Sequence, residues 1–211
     1  MNTSTKRKIG RPNRLSRNAI LETALEMLEE QHGRDLSMRK LAERLQVTPP
    51  SLYGYFKDKH SLMQAMANRC FSGFTDAIDF SQDWDQVLCD WLNHLRDSFK
   101  RDPSRILLAG LMSTSAEGLA ELDKITNILQ KIFSAEESAV LQAQSLLWMV
   151  LSFATFEIRA LDPDIIGQLK RQNTNNAASV TSKHLAIDNY DAMWEQTLQR
   201  NIAGLRALAG R

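Results

Sequence analysis

Apolar residues recur at spacings of three and four almost everywhere after residue 18, and no stretch shows the period-two alternation of a half-buried strand. A chain patterned this way builds its core by packing helix on helix, so the expected fold class is all-α, with about nine to ten helices. In the first, Ile20, Leu21, Ala24, Leu25 and Leu28 form a stripe opposite Glu22, Glu26, Glu29 and Glu30, with Ser16 as its cap and Gly33 as its stop.

Two short helices follow in close succession. Ser37 can cap the first, with Leu36 before the cap packing on Leu41, and this helix ends near Leu45. Thr48 can cap the second, Pro49 occupies the first helical position where its missing N–H costs nothing, and Val47 repeats the staple against Leu52. Two capped helices across the turn Gln46-Val47-Thr48 spell a helix-turn-helix. Asp58 can cap a fourth helix running toward Phe74. Further helices are expected at about 83–101, 104–113, 118–132, 135–161 and 189–209, broken at Asp102-Pro103 and Asp162-Pro163. Ser134 and Glu137 suggest a capping box for the long one, and residues 172–187 read as a connection.

The formal net charge of +1 conceals an uneven distribution. Residues 1–60 carry twelve Lys and Arg against seven Asp and Glu, and the rest carry fourteen against eighteen. Lys6, Arg7, Lys8, Arg11, Arg14 and Arg17 precede the first acid, Glu22, and form a basic arm suited to phosphates. Its Ile9-Gly10-Arg11-Pro12 is narrow and extended, a shape that can track a minor groove.

Leu36-Ser37-Met38-Arg39-Lys40-Leu41-Ala42-Glu43-Arg44-Leu45 and Val47-Thr48-Pro49-Pro50-Ser51-Leu52-Tyr53-Gly54-Tyr55-Phe56-Lys57-Asp58-Lys59-His60-Ser61-Leu62 closely resemble the DNA-binding domain of the TetR family of bacterial transcriptional regulators. The resemblance covers about residues 17–66. It implies that Arg39 contacts a base, that Pro49, Pro50, Ser51, Gly54 and Tyr55 form the recognition face, and that Ser37, Tyr53 and Lys59 grip the phosphate backbone. Arg11 and Arg14 of the arm join them. Tyr55 touches a base or a phosphate, or else packs with its hydroxyl in water. Leu41, Ala42, Leu45, Val47, Leu52 and Phe56 are expected to be core. Pro49-Pro50 departs from many relatives, which carry a small or charged residue and a glycine there.

The remainder divides by analogy into a ligand-binding and dimerisation domain, giving an arm (1–16), a helix-turn-helix domain (17–62) and a larger helical domain (63–211). The helix at 135–161 is apolar all round, so one face would fill its own core and the other meet a second copy. The resemblance places Leu147, Leu151, Trp194, Leu198, Ile202 and Leu205 at that dimer interface. Trp91, Leu95, Met112, Trp148 and Phe153 are the expected lining of a cavity for a small, largely apolar effector. The layout resembles the tetracycline-sensing members, yet Thr75, Trp91 and Ala109 stand where those place His and Asn, so neither metal nor tetracycline is expected, and no cofactor.

Catalysis finds no foothold: His32, His60, His94 and His184 stand apart, no glycine forms a phosphate loop, and no nucleophile motif occurs. Cys70 and Cys89 read as free thiols in a reducing cytoplasm, with no secretory leader behind Lys6-Arg7-Lys8. Ser138–Phe156 carries no charge over a span near the ~20 residues a bilayer needs, but it reads as a buried helix rather than a membrane one. The expectation is therefore a non-enzymatic, homodimeric, cytoplasmic repressor that binds a near-palindromic operator on double-stranded DNA and is released by a small molecule. A helical small-molecule carrier and a thiol-based sensor using Cys70 or Cys89 are the alternatives.

Overall fold

The computed structural model describes residues 15–30, 36–160 and 189–209. Every regular element among them is helical: α1 (Arg17–Glu30), α2 (Met38–Arg44), α3 (Pro49–Tyr53), α4 (Lys59–Phe71), α5 (Trp84–Arg101), α6 (Arg105–Ala109), α7 (Ala116–Leu129), α8 (Glu136–Ala160) and α9 (Tyr190–Ala209). The fold is all-α, as the periodicity requires. The chain separates into two compact units, Met1–Leu62 and Met63–Arg211.

In the first unit α1 is capped by Ser16, whose Oγ accepts from the Ala19 N–H at 3.1 Å. Its inward stripe differs from the expected one in a single exchange, because Met27 is buried with Ile20, Leu21, Ala24 and Leu28 while Leu25 is half-buried. Ser37 caps α2 by accepting from the Lys40 N–H at 3.2 Å. The turn that follows is a Schellman motif. The Gln46 N–H donates to Glu43 O at 3.1 Å and the Val47 N–H to Ala42 O at 3.0 Å, which satisfies the two carbonyls that the end of α2 exposes. That geometry puts Gln46 at φ 55, a left-handed position where glycine is the usual occupant.

Thr48 stands at the cap position of α3 without bonding a backbone N–H; its hydroxyl pairs with that of Ser51 at 2.9 Å instead. Pro49 at the first helical position limits the loss, since it has no N–H to satisfy. Asp58 and Ser61 open α4 reciprocally: the Ser61 N–H donates to Asp58 Oδ1 at 2.7 Å and the Asp58 N–H to Ser61 Oγ at 3.1 Å. The backbone bond from Ser61 holds the Asp58 carboxyl below the usual carboxylate range. Leu41, Ala42, Leu52 and Phe56 are core, whereas Leu45 and Val47 are only half-buried. The helix ends at Phe71 rather than Phe74, because Gly73 turns left-handed at φ 68 and starts a 3-10 turn, Phe74–Ala77.

The second unit is organised around α5, which packs against α6, α7, α8 and α9. Three boundaries move from their expected places. Helix α6 stops at Ala109, and α7 starts at Ala116 under the cap of Ser115, whose Oγ accepts from the Gly118 N–H at 3.2 Å. Glycine is obligatory at 118, since a Cβ there would lie 2.2 Å from Met112 O. Helix α8 begins at Glu136, so Ser134 falls one residue short of the cap and Ala135 O takes the first helical bonds. The stop at Gly33, the break at Asp162-Pro163 and the connection 172–187 lie outside the described residues.

One ion cluster ties three of these helices together. Arg96 of α5 grips Glu157 of α8 with two parallel bonds of 2.8 and 2.6 Å, and reaches Asp191 at the start of α9 at 2.6 Å. Lys100 adds contacts of 3.1 Å to Glu157 and 3.4 Å to Asp191. Burial opposes the charge on Arg96, but the bonds from Glu157 and Asp191 outweigh it and raise its pKa. Removing Arg96 leaves the buried Glu157 with only the partly exposed Lys100, so Arg96→Ala is expected to lower stability by about 3 kcal/mol in urea unfolding. Gln46→Gly should act oppositely, adding about 1 kcal/mol to the stability of the first unit by relieving the left-handed backbone.

Candidate nucleic-acid interface

A five-residue helix cannot bury itself, and α3 turns inward only through Leu52. Pro49, Pro50, Ser51, Tyr53 and the following Gly54 are all exposed. Gly54 closes the helix at φ −69, an ordinary right-handed value, and a Cβ there would meet only Ser51 O at 3.6 Å. Neither backbone angle nor internal packing therefore demands glycine at 54. What glycine provides is clearance on the outside, where another molecule's backbone can approach closely.

The flanking side chains suit a polyanion. Arg39 projects from α2 and rests against Glu43 at 3.1 Å, an exposed pair worth at most about 1 kcal/mol and readily exchanged for a stronger acceptor. Lys59 is exposed at the first position of α4. Ser37 uses its oxygen to cap α2, which leaves its O–H able to donate outward. Arg11 and Arg14 lie outside the described residues. Arg44, by contrast, is committed to Glu30 through bonds of 2.7 and 2.6 Å, and these hold the Glu30 carboxyl below its usual range.

Tyr55 requires a revised role. Its hydroxyl donates to Leu15 O at 2.8 Å, forty residues back, while the residue stays 38% exposed. The Arg17 guanidinium completes the latch by donating to Tyr55 O at 3.0 Å and lying 4.3 Å over the Phe56 ring. Tyr55 thus fixes the point at which the chain enters α1. The sequence reading missed Arg17 here, assigning it to the arm, because no local pattern links residues 17 and 55.

In the second unit Trp91, Leu95 and Met112 are fully buried, and Phe153 is half-buried between Tyr190 and Trp194. Trp148 was expected on the same interior wall and is not there. It is 68% exposed, because the inward arc of α8 runs through Ala139, Ala143, Leu146, Leu147, Val150 and Ala154, opposite Trp148. The residues expected at a dimer interface are mostly buried within the chain. Leu147 faces inward, Leu151 is half-buried, and Trp194, Leu198, Ile202 and Leu205 are spent on the chain's own core, where the Trp194 indole N–H donates to Asn93 Oδ1 at 2.6 Å. The face left open on α8 carries Leu141, Trp148 and Phe156, with Ser145 and Ser152 between them. Glu136–Ile158 is long and apolar enough to cross a membrane, but it packs on α5 and α7 and buries the ion-paired Glu157.

Among the described residues no group of His, Cys, Asp and Glu could hold a metal ion. Burial pushes the thiols of both Cys70 and Cys89 up, which makes the reactive thiolate scarcer.

Residues 20–66 match the sequence model of bacterial regulatory proteins of the tetR family. The class C tetracycline repressor of Escherichia coli is 47% identical over 55 residues, 26% of this chain and 25% of that protein. A helix-turn-helix transcriptional repressor of Mycobacterium tuberculosis is 29% identical over 127 residues, 56% of this chain and 49% of its own. The chain thus spans a quarter to a half of these curated relatives. A solved structure of a possible TetR-family regulator from Streptomyces coelicolor superimposes with a TM-score of 0.77 at 26% identity, covering 92% of this chain and all of the other.

Two substitutions separate folding from contact at this surface. Tyr55→Phe should cost about 0.5–1.5 kcal/mol of stability by removing the bond to Leu15, as read by denaturant unfolding. Gly54→Ala should leave stability equal or slightly raised while weakening retention of duplex DNA, measured by fluorescence anisotropy.

Proposed function

We propose that the chain, which belongs to the TetR family of bacterial regulatory proteins, is a cytoplasmic repressor that binds a near-palindromic operator as a homodimer and releases it when a small molecule enters the second unit. The observation that carries this reading is α3, a helix whose exposed residues and unforced glycine have no use inside the chain. In the proposed complex the α3 edge enters the major groove, Arg39 reads a base, and Ser37, Tyr53 and Lys59 hold phosphates. Tyr55 acts indirectly, aiming the arm whose Arg11 and Arg14 follow the minor groove. The domain boundaries in this reading are 1–16, 17–62 and 63–211.

A second copy is the natural cover for the open face of α8. Trp148 and Phe156 are each 68% exposed and stand with Leu141 along one stripe, a large apolar area for a soluble monomer to leave in water. Pairing two such faces gives a two-fold dimer, whose recognition helices would read half-sites about 34–36 Å apart. Helix α4 starts beside the DNA-binding helices and ends in the second unit, which makes it the element able to carry a change between them. The raised thiols of Cys70 and Cys89 weigh against a thiol sensor, and a simple carrier would have no use for the exposed α3.

Selecting duplexes retained by the protein from fragmented genomic DNA supplies the operator and tests the reading. On that operator Lys59→Ala should weaken binding to specific and random duplexes alike and flatten the salt dependence by about one ion. Arg39→Ala should instead lose about 1–3 kcal/mol of discrimination at one base pair; equal losses on operator and random DNA would refute its role. The double variant Trp148→Glu/Phe156→Glu should run as a monomer in light scattering and lose operator affinity.

A further inference from the structure

Helix α3 begins in a way that removes its own hydrogen-bond donors. A helix start exposes four backbone N–H groups, and the oxygen of a threonine cap ordinarily accepts from the second or third of them. Here the first and second helical residues are Pro49 and Pro50, which carry no N–H, and the third, Ser51, donates to Thr48 O at 2.9 Å. The Thr48 hydroxyl thus lacks an N–H at residue 50 and pairs with the Ser51 hydroxyl at 2.9 Å. Two hydroxyls joined in this way keep a single O–H between them. Thr48, Pro49, Pro50 and Ser51 are all exposed, so the start of α3 offers its surroundings two proline rings beside one hydroxyl pair.

A proline at the first position alone presets the helix entry, so rigidity does not account for the second, which also takes a donor away from the cap. The flanks point to a polyanion rather than an apolar protein surface as the partner, since Arg39 of α2 and Lys57 and Lys59 beyond α3 are exposed as well. In the major groove a base edge shows acceptors, an amino donor or, on thymine alone of the four bases, a C5-methyl group. Proline rings pressed on a carbonyl, a ring nitrogen or an amino group strip its water and return no bond, a cost that rejects such an edge. Pressed on a methyl group they cover apolar surface instead.

We propose that Pro49 and Pro50 are specificity-determining residues that read thymine C5-methyl groups in the major groove, so that each half-site of the bound duplex carries a thymine where the start of α3 meets it. The proposal rests on the reading of the chain as a DNA-binding regulator and names the base-edge chemistry that its recognition helix accepts. Arg39 reads a polar edge from α2 while α3 reads an apolar one. A consequence is that 5-methylcytosine, which places the same methyl group in the same groove, stands in for thymine in part, whereas cytosine does not.

The test starts from a pool of duplexes with a randomised core, from which the full-length protein retains its preferred sequence. In the recovered duplex each thymine is replaced in turn by deoxyuridine, which removes only the methyl group, and affinity is read by fluorescence anisotropy. The expected result is that one or two replacements in each half-site weaken binding about 4-fold, the effect of uncovering one methyl-sized group, while the other thymines tolerate the change. At a sensitive position 5-methylcytosine paired with guanine should bind about 4-fold more tightly than cytosine in the same place. The double variant Pro49→Ser/Pro50→Ser returns an N–H at residue 50 for Thr48 to cap, and it should bind the thymine and deoxyuridine duplexes alike. Its fold is checked by circular dichroism; if it does not fold, the methyl dependence of the wild-type protein and its recovery by 5-methylcytosine still decide the matter. No deoxyuridine-sensitive thymine, no gain of 5-methylcytosine over cytosine, or a sensitivity that survives in the folded double variant would overturn the proposal. A recovered duplex indifferent to every thymine methyl would leave the DNA-binding reading standing, whereas recovery of no duplex at all would refute that reading and this inference with it.

Discussion

A single guanidinium sets the geometry of the second unit. Arg96 is buried on α5, and taking its charge out of water is costly unless carboxylates come to it. Glu157 comes from α8 and Asp191 from α9, and a planar fork accepts them in only a few orientations. Once Glu157 faces Arg96, the rotation of α8 about its axis is fixed. Leu146, Leu147 and Val150 turn inward, and Trp148 and Phe156 must turn out. Asp191 does the same for α9, directing Trp194 onto Asn93 and leaving Met193 and Leu208 exposed. What the unit encloses and what it offers to a partner both follow from that one cluster.

The first unit solves a different problem, holding two very short helices rigid enough to be read by a partner. Five or seven residues have too few internal bonds to persist alone. Their ends are therefore fastened one by one: Ser37 at the start of α2, the Schellman bonds of Gln46 and Val47 at its end, and the Asp58–Ser61 exchange beyond α3. The Leu15–Tyr55 and Arg17–Phe56 contacts then close the unit across about forty residues of sequence. Because these fastenings are made with cap residues and backbone, the outer side chains of α3 remain available for contact.

These fastenings also explain what could be read from sequence. Ser16, Ser37 and Asp58 announce their helices because a cap is a local bargain between a side chain and an N–H two or three residues on. Gln46 escapes notice because its left-handed angle is imposed by the turn rather than favoured by glutamine. The surface of the recognition helix was legible through the resemblance of residues 36–62, but the turn of Tyr55 toward Leu15 spans forty residues and has no local signature. On α8 and α9 the periodicity identifies an apolar arc without saying whether the chain itself or a second copy covers it. Trp194 and Leu198 were assigned outward and Trp148 inward for that reason, and only the pairing of Arg96 with residues 61 and 95 positions away decides between the two.

The proposed switch must also satisfy an energetic requirement. Moving a two-state protein from almost wholly operator-bound to almost wholly released takes about 5.5 kcal/mol of preference for the released form. One hydrogen bond to an effector contributes about 0.5–1.5 kcal/mol, too little by itself. The balance of about 4–5 kcal/mol corresponds to roughly 160–200 Å² of apolar surface covered in one state and not the other, at about 25 cal/mol per Å². That is the scale of one flat aromatic ligand taken out of water. In this division of labour apolar burial drives the shift, and single polar contacts select which apolar molecule is able to cause it.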